Sequence, residues 1–249
     1  MRLRTAGFAR SVGLLFRWNA LRLRQVSLML MMFQVVLGIG VIFGFAFLVP
    51  HITPAVALFF TTGAPALVLI MLGINIVPQE VAQARINGRY LYVSSLPVPR
   101  LAPMLAEVLY WVLIQLPGTV VTLLLAVLRF HIHLHISLLV IPAVTLVSLT
   151  TAALGYALAV TAPPPVTSQL ASVLGIAVML FSPINFPLSR LPQWLQDVHH
   201  VLPIAYMADL IRGTLTGHYD SARTTAFAVL GAWCVGALAL SSRAVSRRG

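Results

Sequence analysis

Residues 26–49, VSLMLMMFQVVLGIGVIFGFAFLV, run for 24 positions without one acidic or basic side chain. Coiled as an α-helix at about 1.5 Å per residue they reach about 36 Å, enough to cross the roughly 30 Å hydrocarbon core of a bilayer. Working outward, the pattern repeats at Thr53–Val77, Ala106–Leu128, Ile136–Val160, Thr167–Phe186 and Thr224–Leu240. The chain is 59% hydrophobic and 8% charged, where a soluble domain averages about 25% charged. The sequence therefore predicts an all-α membrane protein with six transmembrane helices. The first apolar run begins after about 25 residues and is too long for the core of a cleavable signal.

Arginine orients these spans. Arg2, Arg4, Arg10, Arg17, Arg22 and Arg24 precede the first; Arg85, Arg89 and Arg100 lie between the second and third; Arg243, Arg247 and Arg248 end the chain. With six spans all three groups fall on one side. The other side carries Arg129, with Arg190, Arg212 and Arg223 offset by Asp197, Asp209 and Asp220. Positive charge concentrates in cytoplasmic loops, so both termini are expected inside. The net charge of +11 then serves anionic headgroups and not nucleic acid.

Residues 79–100, QEVAQARINGRYLYVSSLPVPR, are a polar island between the second and third spans. Pro78 is a good helix-starting residue and Gly88 a good stop, so Glu80–Arg89 is expected to form a short helix with a solvated charged side. A solvated loop with a chance charge cluster is the plainer alternative. The N-terminal segment places Arg10, Arg17 and Arg24 on one helix edge opposite Phe8, Val12, Leu15 and Phe16, the pattern of an interfacial helix, with Trp18 near the headgroups. Between Phe186 and Arg223, apolar residues recur at helical spacing, broken at Pro203. Two short re-entrant helices on the outer face would bury them, and Asp209 and Arg212, three apart, can pair. A hairpin resting on the membrane surface would use the same residues.

The chain contains no lysine. A Walker A loop needs one to reach nucleotide phosphates, and dinucleotide-binding, zinc-protease and nucleophile-elbow motifs are missing too. No catalytic, cofactor-binding or metal-binding residue is assigned. His131, His133 and His135 alternate as on an extended strand, but no carboxylate or thiolate stands near them, and polar loop residues explain them better than a metal site. Cys234 is alone in the last span and reads as apolar filler. Gln34, Asn75, Gln115, Gln169 and Asn185 are candidates to line a path or to pair helices, since such groups seldom face lipid. Glu107 lies near the inner start of the third span. Pro65 and Pro117-Gly118 would bend their helices.

Two segments together resemble the ABC-2 type of ABC transporter permease, the membrane subunit of bacterial drug, lipid and polysaccharide exporters. The family's first cytoplasmic loop carries a glutamate, a Gly-Thr pair and, nine residues after the glycine, a proline opening a short run to an arginine. Glu80, Gly88, Pro97, Val98 and Arg100 match, while Arg89 replaces the threonine and Val93 a leucine. The second segment reads Leu191-Pro192-Gln193-Trp194-Leu195, then Pro203, Asp209 and Arg212. The order and placement of these loose motifs carry the match over nearly the whole chain.

The resemblance implies one transmembrane domain over 1–249: an interfacial helix at 1–25, spans one to five at 26–186, outer re-entrant helices at 187–223, and span six with a tail at 224–249. It implies coupling to an ATPase through Glu80, Arg85, Gly88, Arg89 and Pro97, and an outer gate at Leu191, Pro192, Trp194, Pro203, Asp209 and Arg212. The partners implied are a pair of ABC ATP-binding subunits, which hold the ATP and Mg, a second permease copy or similar chain, and membrane lipid. The setting implied is the bacterial plasma membrane and the cargo a hydrophobic or amphiphilic drug, antibiotic or lipid. A membrane-embedded enzyme, or a passive channel with no ATPase partner, would need clustered ionisable or pore-lining polar residues, and neither is evident.

Overall fold

A computed structural model describes residues 7–48, 53–99, 101–184, 187–188, 191–217 and 221–247. Eleven α-helices run in chain order among them, and no strand occurs among the described residues. They are α1 (Phe8–Arg22), α2 (Arg24–Leu48), α3 (Pro54–Met71), α4 (Val77–Ile86), α5 (Arg89–Ser94) and α6 (Ala102–Phe130). The remainder are α7 (Val140–Thr161), α8 (Pro164–Phe181), α9 (Gln193–Val201), α10 (Pro203–Thr216) and α11 (Ser221–Arg247).

Six stretches among the described residues are long and apolar enough to span: Arg24–Gly44, Pro54–Ile86, Ala102–Phe130, Val140–Thr161, Pro164–Phe181 and Thr224–Ser246. The second corrects the sequence expectation. It does not end at Val77 but continues to Ile86, so Pro78 lies within the helix. The cause is a π-helical turn, Leu72–Ile76, in which the Val77 N–H reaches back to the Leu72 carbonyl. A proline gives no bond to the carbonyl four residues behind it and its ring crowds that carbonyl. The extra residue of the π turn relieves both problems.

Thr53 starts this long helix by accepting the Val56 N–H at 3.4 Å, with Pro54 in the first turn. At the π turn α3 meets α7 so closely that a Cβ on Gly155 would lie 2.2 Å from the Gly73 carbonyl oxygen. One apolar core joins Ile42, Leu67, Ile70 and Val147 to Met207, Leu210, Ile211 and Leu230. A second joins Leu72, Val77 and Val81 to Val108, Tyr110, Trp111 and Tyr156. Burial of this kind does not hold helices together in lipid, where the surroundings are equally apolar; close small-residue contacts and interhelical hydrogen bonds do more. Ala153, Ala157 and Ala237 supply such a seam between α7 and α11.

The N-terminal helix packs along the start of α6 through Ser11, Leu15 and Asn19, while Phe8, expected on the apolar face, is exposed. Two short helices lie between α8 and α11, separated at Leu202 as Pro203 requires. α10 buries Met207, Leu210 and Ile211 against α3, α7 and α11, whereas α9 leaves Trp194 and Val201 exposed.

Candidate functional site

The arginine-rich end of the bundle is built around an elbow. α4 runs out of the second span, Asn87 closes it, and Gly88 turns the chain at φ 70°, a left-handed conformation that glycine adopts without strain. α5 and the turn through Pro97 then lead into α6. The island is thus a rigid continuation of a span, and not the free-standing solvated helix expected from sequence. Val81, Ala82 and Ala84 are buried, and α4 lies against α7 and α8.

The two arginines of the elbow, Arg85 and Arg89, hold it to the bundle. Arg85 donates through Nη1 to the carbonyls of Ala159 and Ala162, the latter at 2.7 Å. Those carbonyls end α7 just before Pro163, Pro164 and Pro165, none of which has an N–H to offer. Arg89 pairs with Glu107 of α6 at 3.2 Å. Glu80 is half-buried and has no ion-pair partner among the described residues. The elbow exposes polar Gln83, Asn87 and Ser95 and, with them, a group of apolar side chains. Ile86 is 56% exposed, Leu91 72% and Tyr92 61%, with Pro97 exposed beside them. Sequence reasoning passed over Leu91 and Tyr92 because they lie inside the polar island, where the charged residues drew the assignment.

At the opposite end, Pro203 opens α10 and Asp209 meets Arg212 at 3.1 Å, the pairing their spacing predicts. The Arg212 guanidinium carbon lies 3.9 Å from the centre of the Phe59 ring, a cation–π contact linking α10 to α3. The Asp209 side chain is 68% exposed and that of Arg212 22%; desolvation on the side facing the helices raises the Asp209 carboxyl above its ordinary range and Arg212 pulls it partly back. The same surroundings lower Arg212, against the pull of Asp209. Leu191 accepts a hydrogen bond from Gln196 Nε2 at 2.7 Å, Pro192 precedes α9, and Trp194 projects outward. Buried His199 contacts the Phe181 carbonyl at 2.9 Å and so ties α9 to the end of α8.

The polar residues of the spans divide. Gln34 donates to the Ile114 carbonyl at 3.1 Å, and Gln115 accepts from the Thr151 hydroxyl at 3.1 Å. Asn75 donates to the Ala171 carbonyl at 3.0 Å and accepts from Gln79. These three pair helices within the chain. Gln169 is exposed on α8 beside Val166, Leu170 and Val173, and Asn185 lies outside the described residues. His131, His133 and His135 are exposed on the α6–α7 connection, and among the described residues no three His, Cys, Asp or Glu side chains gather around a common point.

The ABC-2 type transporter family matches residues 11–216, from within α1 to the end of α10. No curated protein matches the chain.

Proposed function

The chain belongs to the ABC-2 type transporter family, and from that premise we propose that it is the permease subunit of an exporter whose ATP is hydrolysed on separate chains. Membership makes it a multi-pass membrane transport subunit and not itself the catalyst. The observation that carries the proposal further is the elbow. A stiff helix runs out on the arginine-rich side and ends in three apolar side chains, Ile86, Leu91 and Tyr92, that are exposed among the described residues. Arginine asymmetry favours that side as cytoplasmic, where ATP-binding subunits reside. Glu80, Arg85, Gly88 and Arg89 then shape and brace the elbow, and Leu91 and Tyr92 make the contact, with Pro97 at the edge.

A second permease copy, or a similar chain, fits the open face of α8, where Gln169 stands among apolar residues. A lone polar side chain on a lipid-facing helix is unfavourable, and a helix across an interface would pair it. The cargo path is assigned to that interface, with Asp209, Arg212 and Trp194 near its outer end. An amphiphilic or hydrophobic cargo such as a drug or lipid suits so apolar a lining.

Co-purification with the ATP-binding chain is the test. Leu91→Ser combined with Tyr92→Ser is expected to leave the amount of folded permease unchanged while reducing the ATP-binding chain recovered and the ATPase-driven transport by about tenfold or more, a loss of roughly 1.4 kcal/mol. Normal recovery and normal transport in the double variant would overturn the assignment.

A further inference from the structure

A cavity of about 530 Å³ opens where α1, the elbow and the inner ends of α6, α7, α8 and α11 converge. Ligand sites commonly have volumes of about 300–1,000 Å³, mostly apolar with a few polar groups fixing orientation. Here Leu15, Val93 and Met104 supply apolar wall. Two polar groups are set into it. Asn19 is 6% exposed and Tyr156 2%, yet neither side chain has a hydrogen-bond partner among the described residues. The atoms sealed without a partner lie elsewhere, so these two groups open onto the cavity itself, where water or a ligand's polar group pairs with them.

The field in the cavity selects the partner's charge. Arg85 and Arg89 line it against the single carboxylate of Glu107. Pro103 and Pro164, also in the wall, sit in the first turns of α6 and α8, and neither helix has an acidic residue in that turn or a side-chain cap. Both helix ends therefore add a positive dipole to the cavity, although Pro103, Pro163, Pro164 and Pro165 leave few N–H groups there to bond an anion directly. The cavity also lies at the arginine-rich end of the spans, where headgroups are found. From the two unpaired polar groups together with this charge, we infer that the cavity binds the phosphate headgroup of an anionic amphiphile, with a membrane phospholipid as its source. Asn19, Tyr156 and the guanidinium of Arg89 hydrogen-bond its oxygens. The bound headgroup would tie α1 to the elbow. This inference does not depend on the transport reading, since it concerns a lipid held by the permease alone.

The test uses the full chain in a neutral detergent. Dioleoyl phosphatidylglycerol, dioleoyl phosphatidylcholine and glycerol 3-phosphate are added separately, with native mass spectrometry and thermal melting as readouts. Phosphatidylglycerol is expected to stay bound at one per chain and raise the melting temperature, and phosphatidylcholine to do neither. An equal effect of glycerol 3-phosphate would keep the phosphate chemistry and reassign the source to a soluble ligand. Asn19→Leu is expected to raise the melting temperature without lipid, by removing an unpaired amide, and to weaken phosphatidylglycerol retention by about tenfold. Tyr156→Phe, which keeps the ring, is expected to weaken retention several-fold and serves if the first variant does not fold. Equal retention of the two lipids, or retention by the folded variants at the level of the unmodified protein, would overturn the inference.

Discussion

Replacing Arg85 with alanine isolates what holds the elbow to the bundle. The side chain gives both its described hydrogen bonds to carbonyls at the end of α7, those of Ala159 and Ala162. In a continuing helix the Ala159 carbonyl would receive the N–H of residue 163, and Val160 and Thr161 those of 164 and 165. All three positions are proline, so no backbone donor can take over. Ala159 is fully buried, which also keeps water from its carbonyl. A hydrogen bond from a charged donor contributes about 1.5–3 kcal/mol, and leaving a buried acceptor unpaired costs about 1–3 kcal/mol. Two acceptors share one guanidinium nitrogen, so the terms overlap, and about 3 kcal/mol is expected for Arg85→Ala. For a chain of this size that corresponds to a melting temperature lower by about 6–12 °C. Arg85→Lys keeps the charge near the α7 terminus but not the fork geometry, and should fall between. Thermal melting of the detergent-solubilised protein, followed by the monodisperse fraction on size exclusion, measures it, with exposed Arg17→Ala as control. A shift for Arg85→Ala no larger than that of the control would refute the reasoning and return the island to the solvated helix that its sequence suggests.

Three further outcomes follow from packing and charge. Gly155→Ala places a methyl 2.2 Å from a backbone oxygen that cannot step aside, and should cost about 1–3 kcal/mol or more by thermal melting, while Gly236→Ala on α11, with open space, should be neutral or slightly stabilising. Asp209→Asn should destabilise more than the Asp209→Asn, Arg212→Gln double variant, by about 1–3 kcal/mol, because Arg212 Nε and Nη2 are already sealed without partners; strictly additive small effects would place the pair in open solvent. Since the folded carboxyl of Asp209 titrates above its unfolded value, the native state holds the proton more tightly, so stability should rise as pH falls through the range just above the ordinary carboxylate value, and Asp209→Asn should abolish that rise.

The spans were legible because length and hydropathy alone decide them: six runs were expected and six helices of sufficient length appear. The break at Pro203 and the Asp209–Arg212 pair were legible because both are local. The elbow was misread at one residue. Pro78 has the same sequence signature whether it opens a helix or follows a π turn, and the turn depends on α7 packing at Gly73, a contact with residues about eighty positions away. A signal was present. Val77, Val81 and Ala84 repeat at i, i+4 and i+7, a buried stripe masked by the polar residues between them. Asn19 and Tyr156 carried no signal, since what marks them is their place in a cavity assembled from seven helices.

That misreading changes how force would travel. A free helix between two spans would pass a push only through its two ends, to α3 and α6. In the folded chain α4 is continuous with α3, lies against α7 and α8, and is fastened to the end of α7 by Arg85, while α5 is fastened to α6 by Arg89 and Glu107. On the proposed reading, motion delivered at Leu91 and Tyr92 therefore reaches the inner ends of four spans together. A bend in the long helix would fall at the π turn Leu72–Ile76, where the regular i→i−4 ladder is interrupted.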